Sequence, residues 1–429
     1  MKARSVIQAA AAVLLVGQPL SAQGVQRLSL KEAEDRAVQN HPQIRAGQYA
    51  ALAGGETVRQ LKSAYFPTVF GSFTGAEAPS GTRLAAGGLN NPTVLDRFAF
   101  GFSASQMLTD FGRTSDLTAS ATLHVDSQQQ DVTDRRATVL LQVDRAYFDA
   151  LRAQAILRVA EQTVAARQLV VDQVTALAST GLKSALDLSF ARVNLSEAQL
   201  LLLQAQNGVQ ASYAGLSAAL GAPQTATYEL NDEPLPEAPP AGSGPLIAQA
   251  LRDRPDVARE RYTQQSEAKL AEAERALWFP TISLIGAAGM TPLHQIGLTD
   301  RYSALGVNVM VPLANGSLYS ARRSEAAFRA SAQQQVLQDL ENRVARDVQI
   351  AWLDAQTAFE RLDLTNQLLA QASDALDLAQ QRYNLGLSSI VELTQAQLNQ
   401  TGAQIEQATA RYEYQARSAA LRYQTGALK

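Results

Sequence analysis

Side chains that carry catalytic chemistry are few and scattered in this sequence. The three histidines, His41, His124 and His294, lie far apart, and none has the spacing of a metal-ligand pair. The lack of cysteine in all 429 residues excludes disulfides, thiol chemistry and a lipid-anchored N-terminal cysteine. The sequence also contains no glycine-rich phosphate loop, no nucleophile elbow and no HExxH pattern. It therefore predicts a protein that is not an enzyme and that uses neither a metal nor another cofactor.

The overall composition narrows the class of partner. The net charge of −3 and the isoelectric point near 5.8 give no electrostatic reason to bind nucleic acid. Aromatic residues make up only 6% of the chain, which suits helices packed through small side chains better than a thick globular core. We therefore expect an extended, helix-rich protein without a nucleic-acid partner.

The N-terminus has the pattern of an export signal. Lys2 and Arg4 precede an apolar run at residues 6–16, and small residues precede Gln23, so residues 1–22 are predicted to be a signal peptide. A buried N-terminal helix is the alternative. The run is too short to span a bilayer, and no later segment has 18 consecutive apolar residues. We expect an exported protein without a transmembrane helix, and no C-terminal extension after residue 429.

The longest predicted element is a rod that begins near Leu318. Its apolar residues recur every three or four positions and later every seven, which favours a left-handed coiled coil. They are Val336, Leu340, Val344, Val348, Trp352, Ala355, Phe359, Leu362, Leu369, Leu376 and Tyr383. Neither Pro nor Gly interrupts residues 318–384, so ~65 residues give a helix of roughly 100 Å. Gly386 then ends the rod, and a return helix is predicted to reach Leu421.

The same helical hairpin occurs earlier in the chain. Gly181, Asp187 and Gly221 match Gly386, Glu392 and Gly426, each 205 positions later. The sequence therefore predicts a tandem duplication. A first repeat covers residues 23–221, with a β-hairpin at 68–108 and a helical hairpin at 114–220. A proline-rich connector covers 222–244, and a second repeat covers 245–429, with a β-hairpin at 281–312 and a helical hairpin at 318–421.

Each repeat is predicted to open with a helix, broken near Pro42 or Pro255, that leads into strands. Ser29 and Glu32 form a capping-box pattern at the start of the first of these helices. Apolar residues alternate with small or polar ones in residues 98–105 and 304–311, as in strands that have two different environments. The segments 76–97 and 290–301 are predicted to be loops. An antiparallel sheet on a soluble domain is one interpretation of the strands, and tilted transmembrane strands are the other.

Four strands favour the second interpretation, because four strands cannot close a barrel and the smallest membrane barrels have about eight. Several chains would have to share one barrel. The ordered features resemble the outer-membrane efflux protein family, the TolC-like channel-tunnels, over nearly the whole mature chain. The resemblance rests on the duplicated plan, the entries Tyr65-Phe66-Pro67 and Trp278-Phe279-Pro280, Leu108-Thr109-Asp110-Phe111-Gly112 with Leu313-Ala314-Asn315-Gly316 at the matching place, and the turns Thr180-Gly181-Leu182 and Leu385-Gly386-Leu387.

The resemblance implies a mainly α homotrimer with a small β part. Four strands from each chain would form a 12-stranded outer-membrane β-barrel, and the coiled-coil hairpins would form a periplasmic α-barrel. Such a channel is a passive duct that works with a periplasmic adaptor protein and an inner-membrane pump or secretion ATPase. Export of small toxic compounds or drugs is the main expectation. The alternatives are the exit duct of type I protein secretion and a non-conducting structural coiled-coil protein of the envelope.

The resemblance also assigns residues at the periplasmic end. Glu392 falls on an acidic ring of the closed aperture, and Gln395 makes a second ring neutral. Asp187 and Tyr383 fall on closing links between neighbouring chains, and Ser388 stands where a linking arginine is expected. The adaptor is expected to dock at both turns, at Thr180, Gly181, Leu182, Leu385, Gly386 and Leu387.

Each of these assignments has a simpler alternative. Three Glu392 side chains at a constriction would attract cations, but an acid at a helix N-terminus is also favoured by the helix dipole. Asp187 could only cap its helix, Tyr383 could only pack, and the two glycines could only end helices. Tyr65, Phe66, Trp278 and Phe279 suit a membrane interface better than a ligand site.

Overall fold

The computed structural model describes residues 26–77, 83–86, 89–93, 97–293 and 299–428. The predicted signal peptide and His294 lie outside these residues. The helices are α1 Leu30–Asn40, α2 Pro42–Lys62, α3 Arg113–Ser179, α4 Ala185–Ala219, α5 Gly244–Asp253, α6 Pro255–Arg275, α7 Leu318–Asn384 and α8 Ile390–Gln424. The strands are β1 Gln26–Leu28, β2 Thr68–Ala76, β3 Arg83–Ala86, β4 Leu89–Thr93, β5 Arg97–Thr109, β6 Tyr228–Leu230, β7 Thr281–Leu293 and β8 Arg301–Met310.

The two helical hairpins dominate the fold and have equal dimensions. Helices α3 and α7 each contain 67 residues, and α4 and α8 each contain 35. Helix α3 packs along α4, α7 packs along α8, and α3 also contacts α8, so the four helices form one layer in the order α4-α3-α8-α7. At 1.5 Å per residue the long helices span roughly 100 Å. Two helical hairpins were thus correctly predicted, although α8 ends three residues later than Leu421.

The apolar stripe of α7 is only partly covered within one chain. Val344 and Val348 are buried, but Val336 is 45% exposed and Phe359 is 38% exposed. Because α7 is an outer helix of the four-helix layer, one of its sides has no neighbour in the described chain. The apolar stripe therefore packs against α8 and α6 along part of its length, and the rest of it is apolar surface that another partner could cover.

In each half, the proline break between the first two helices packs against the end of the return helix, α4 in the first half and α8 in the second. The capping box of Ser29 and Glu32 starts α1, and Pro42 and Pro255 start α2 and α6 as predicted. Gly221 and Gly426 have φ values of +71° and +72°. A Cβ atom at Gly221 would lie 3.1 Å from His41 Cα, and one at Gly426 would lie 2.9 Å from the Arg254 backbone nitrogen. Only glycine satisfies both the dihedral angle and this close approach.

A compact core joins the helices where the connector crosses them. Strands β1 and β6 pair in parallel, with Leu28 opposite Leu230. The hydroxyl of the buried Tyr147 side chain lies 2.9 Å from the Leu28 carbonyl oxygen and 2.7 Å from that of Asn231, so it ties α3 to both segments. The sequence predicted the connector only as extended chain and missed this sheet. Three residues give too short a pattern to predict pairing between segments about 200 positions apart.

The four strands that the sequence predicted form one antiparallel sheet in the order β2-β5-β7-β8. The predicted loops were partly wrong. Strands β3 and β4 pair with each other inside residues 76–97, and β7 extends to Leu293, into the second predicted loop. Gly, Pro and Asn in these segments suggested loops. Backbone pairing with a neighbouring strand outweighed that weak local preference.

The register gives the four-stranded sheet two different faces. One face carries Val69, Phe73, Phe100, Phe102, Leu305 and Val307, because Phe73 lies opposite Phe100 and the residues two apart share a side. The other face carries mostly small or polar residues, among them Thr68, Ser72, Thr74, Ser103, Ser105, Ser283 and Asn308. Phe73 is 81% exposed and Leu305 is 79% exposed. The aromatic and aliphatic face is therefore uncovered in the single chain.

Candidate functional site at the helical hairpin turns

Both helical hairpins reverse through the same backbone structure. Gly181 and Gly386 have φ values of +76° and +75°. The Leu182 N–H donates to the Leu177 carbonyl at 3.0 Å, and the Leu387 N–H donates to the Arg382 carbonyl at 2.8 Å. These are Schellman motifs, in which a left-handed residue lets the next amide reach back to the last helical turn. The predicted turn glycines therefore do end helices, which was the simpler alternative for them.

The same turns place apolar side chains in the open. Leu182, Leu385 and Leu387 are 72%, 74% and 66% exposed. No atom lies within 4 Å of a Cβ atom built on Gly181 or Gly386 among the described residues. The Thr180 hydroxyl donates to the Leu177 carbonyl at 3.0 Å and so completes the end of α3. The result is two similar, protruding apolar tips of a kind that binds a partner.

Tyr383 holds the two turns together from within one chain. It is 5% exposed and packs in an apolar cluster with Val171, Val174, Ala191, Ile390 and Leu393. The Lys183 Nζ atom lies 3.9 Å from the Tyr383 ring centroid, a cation–π distance. Burial, and then the nearby Asp187 carboxylate, raise the pKa of the Tyr383 hydroxyl. That hydroxyl has no hydrogen-bond partner among the residues that the structure describes.

Asp187 caps its own helix. Its carboxylate accepts hydrogen bonds from the Ser184 backbone N–H at 3.1 Å and from the Ser184 hydroxyl at 2.8 Å. The Asp187 N–H in turn donates to the Ser184 hydroxyl at 3.1 Å, which completes a capping box. This satisfies the cap alternative and leaves the proposed link to a neighbouring chain untested.

Glu392 stands at the matching position of the second hairpin and has a different partner. Its backbone N–H donates to Ser389 Oγ at 3.4 Å, while its carboxylate points to Arg382, with 3.2 Å between Glu392 Oε1 and Arg382 Nε. Both side chains are about half exposed, at 47% and 55%. The Gln395 amide donates to Asn399 Oδ1 at 2.9 Å, and within the described chain the buried Ser388 hydroxyl has no partner.

Two cations at the turns, Lys183 and Arg382, were missed at the sequence level. Lys183 lies two residues after Gly181, Arg382 lies four residues before Gly386, and each contacts a residue that the sequence singled out. Their closeness to the turns was visible in the sequence, but their partners depend on how the two helices cross. As a result, Glu392 faces a positive charge in the same chain, whereas Lys183 lies over the Tyr383 ring.

The predicted interface aromatics lie at the opposite end of the long helices, where the helices meet the sheet. Tyr65, Phe66, Trp278 and Phe279 are between 44% and 67% exposed. Trp278 packs edge-on against Tyr319, with ring centroids 5.7 Å apart. Half-exposed aromatic rings suit a boundary between lipid and water, and Tyr65 and Trp278 also have a polar group that can face the water.

The residues that the structure describes show no cluster of metal ligands. No helix among the described ranges has the length and apolar character needed to cross a lipid bilayer.

Comparison with known proteins matches this architecture. The family model for outer membrane efflux proteins matches residues 34–222 and 246–427. Outer membrane efflux protein BepC of Brucella suis biovar 1 is 26% identical over 425 residues, which cover 97% of this chain and 89% of BepC. A probable efflux pump outer membrane protein of Pseudomonas putida, TtgC, is 25% identical over 396 residues, which cover 88% of this chain and 78% of TtgC.

The fold is also that of a solved structure. The outer membrane protein VceC of Vibrio cholerae aligns with a TM-score of 0.77 at 17% identity, over 92% of this chain and 96% of VceC. The two blocks of the family match coincide with the two duplicated halves and leave out the connector between them. This chain belongs to the outer membrane efflux protein family.

Proposed function

We propose that this protein is the outer-membrane exit duct of a tripartite efflux system, and that it exports small toxic compounds as a homotrimer. The observation that carries the proposal is the four-stranded sheet β2-β5-β7-β8, which has one apolar face and two outer strands. Both outer strands, β2 and β8, have only one strand neighbour each among the described residues. Such a sheet is incomplete by itself, because free strand edges and an exposed apolar face both need cover.

Sharing the sheet among three chains supplies that cover. Strand β8 of one chain would pair with β2 of the next, and three sheets of four strands would close a barrel of 12. The apolar face would then contact lipid, and the face with Ser103, Ser105 and Asn308 would line water. The strands contain 9 to 13 residues, which matches the ~9–11 that a tilted strand needs to span a bilayer.

The long helices then project from the outer membrane into the periplasm. A reach of roughly 100 Å follows from 67 residues in α3 and in α7. The exposed flank of α7 would be covered by the outer helices on the other side of a neighbouring chain, α4 along the part nearer the turn and α2 at the level of Val336, which α4 is too short to reach. Three such layers would enclose a tunnel. This gives the uncovered part of the α7 stripe a physical reason.

The two tips at Gly181 and Gly386 would dock a periplasmic adaptor protein, which links the duct to an inner-membrane pump. Leu182, Leu385 and Leu387 would supply the apolar contact area. Glu392 would face the narrowest point of the tunnel, with its charge partly balanced by Arg382. Asp187, Tyr383 and Ser388 lie close enough to the tips to take part in closing it. The duct itself would be passive and would catalyse no reaction.

Conductance of the purified protein in a planar lipid bilayer tests this proposal. Discrete current steps, together with a trimer that resists dissociation in detergent, are the expected result. Small cation-preferring steps would correspond to an aperture that is mostly shut, and large steady steps to one that is open. Soluble protein after signal removal, with no trimer and no current, would refute the duct and favour a structural coiled-coil protein.

A further inference from the structure

A buried arginine lies between the two helical hairpins. Arg167 of α3 is only 5% exposed. Among the described residues, no hydrogen bond and no ion pair within 4 Å engages its guanidinium group. Guanidinium remains charged at any physiological pH and offers five donors in a planar fork. A buried positive charge of this kind is costly unless an anion or several acceptors meet it.

Arg167 lines a cavity of about 200 Å³ that α3, α7 and α8 enclose together. Three amide side chains of α8, Gln397, Gln400 and Gln404, line the opposite wall. Their spacing of three and then four residues places them on one side of α8, where a coiled coil would usually have apolar residues. Leu376 of α7 closes one flank of the cavity.

None of the three glutamine amides makes a side-chain hydrogen bond within the described part of the chain, although Gln397 is only 7% exposed. The lining contains no carboxylate. Burial lowers the pKa of Arg167, and the Glu197 carboxylate, on the exposed side of α4, opposes this only in part. The cavity therefore contains one positive charge and several free amide donors, with no negative group of its own.

We propose that this cavity binds a small oxyanion, a carboxylate or a phosphate, held by the Arg167 fork and the amides of Gln397, Gln400 and Gln404. An oxyanion suits the site because its two oxygen atoms can accept from two parallel N–H groups of arginine. Amide N–H groups can bind the remaining oxygens. The volume fits an anion of several atoms together with water.

The cavity lies near the hairpin turns, so an anion bound there would affect how the two hairpins pack at that end. Arg167 lies 14 residues before Gly181, and Gln397 lies 11 residues after Gly386, so the cavity is about 20 Å from the tips. An anion there would join α3 of the first hairpin to α8 of the second. Binding would therefore stabilise the packing of the two hairpins against each other near the end that has to open.

The test is thermal unfolding of the full-length protein in detergent, with inorganic phosphate replacing chloride at constant pH and ionic strength. The unfolding temperature of the native protein should rise by about 2 °C or more at saturating phosphate. Arg167→Gln should lose this rise. Arg192→Gln, which removes an exposed arginine of α4, should keep it. A series with acetate in place of phosphate distinguishes a carboxylate site from a phosphate site.

A second variant keeps the test decisive if Arg167→Gln does not fold. Gln404→Leu removes one amide from the half-exposed rim of the cavity and leaves Arg167 in place. It should raise the half-saturating phosphate concentration several-fold. No rise in the native protein with either anion, or an equal rise in native protein and Arg167→Gln, would overturn the proposal.

Discussion

A carboxyl group buried at the centre of α3 should make this protein less stable as the pH rises. The Asp144 side chain is 0% exposed, and Arg422 of α8 approaches it with 3.1 Å between Arg422 Nη2 and Asp144 Oδ2. Burial and then the neighbouring Glu34 carboxyl of α1 raise the pKa of Asp144, Arg422 opposes both, and the net result is a pKa of about 8. The group is therefore protonated in the folded protein at pH 5 and ionised in the unfolded chain.

The sign and size of the effect follow from this difference. The folded state holds one more proton than the unfolded state between about pH 4 and pH 8, so the free energy of unfolding falls as pH rises through that window. The slope approaches about 1.4 kcal/mol per pH unit. Below this window the contribution is fully present, and above it the contribution is lost. The sum over the window is at most about 5 kcal/mol.

Asp144→Asn tests this reasoning, because an amide has the shape of the protonated acid and does not titrate. Chemical unfolding at pH 4, the lower end of the window, should give similar stabilities for the native protein and the variant. At pH 8 the variant should be more stable by several kcal/mol, and Arg422, which is half exposed, can be hydrated instead. Asp149→Asn, at an exposed position of the same helix, is the matched control. If Asp144→Asn shows the same pH slope as the native protein, the assignment of the buried proton is wrong.

Three further outcomes are expected. Arg382→Gln should increase the preference of the channel for cations, measured by reversal potential, because it frees the carboxylate of Glu392. Glu392→Ala should decrease this preference. Unchanged selectivity in both variants would place the selectivity filter elsewhere. Gly386→Val should lower adaptor-dependent drug resistance, since a β-branched residue at φ +75° costs about 1–2 kcal/mol or more. Gly386→Asn should keep most of the resistance, because asparagine tolerates this conformation better. Full resistance with Gly386→Val would refute docking at this turn. Val307→Arg places a charge on the apolar face, which costs ~2–4 kcal/mol in lipid, and should reduce the yield of membrane-assembled protein more than Asn308→Arg on the opposite face. Equal yields of the two variants would reject the assignment of the faces.

Local sequence patterns determined where the long helices, their turns and the strands of the main sheet lie in the chain. Both rods follow from the spacing of apolar residues and the absence of Pro and Gly, and both turns follow from Gly181 and Gly386. The alternation of residues in β5 and β8 gave the strands and their two faces. Such features depend on residues within one or two helical turns, or within one strand, so a single sequence contains them.

Tertiary structure decided which side chains face one another. The parallel pairing of β1 with β6, the contact of Arg382 with Glu392 and the placing of Asp144 beside Arg422 join residues from 10 to more than 250 positions apart. The placing of Arg167 in one cavity with Gln397, Gln400 and Gln404 likewise depends on α3 and α8 being neighbours. Sequence spacing fixes the face of a helix on which a residue lies. The rotation and crossing of packed helices, set by the whole core, fix what that face meets.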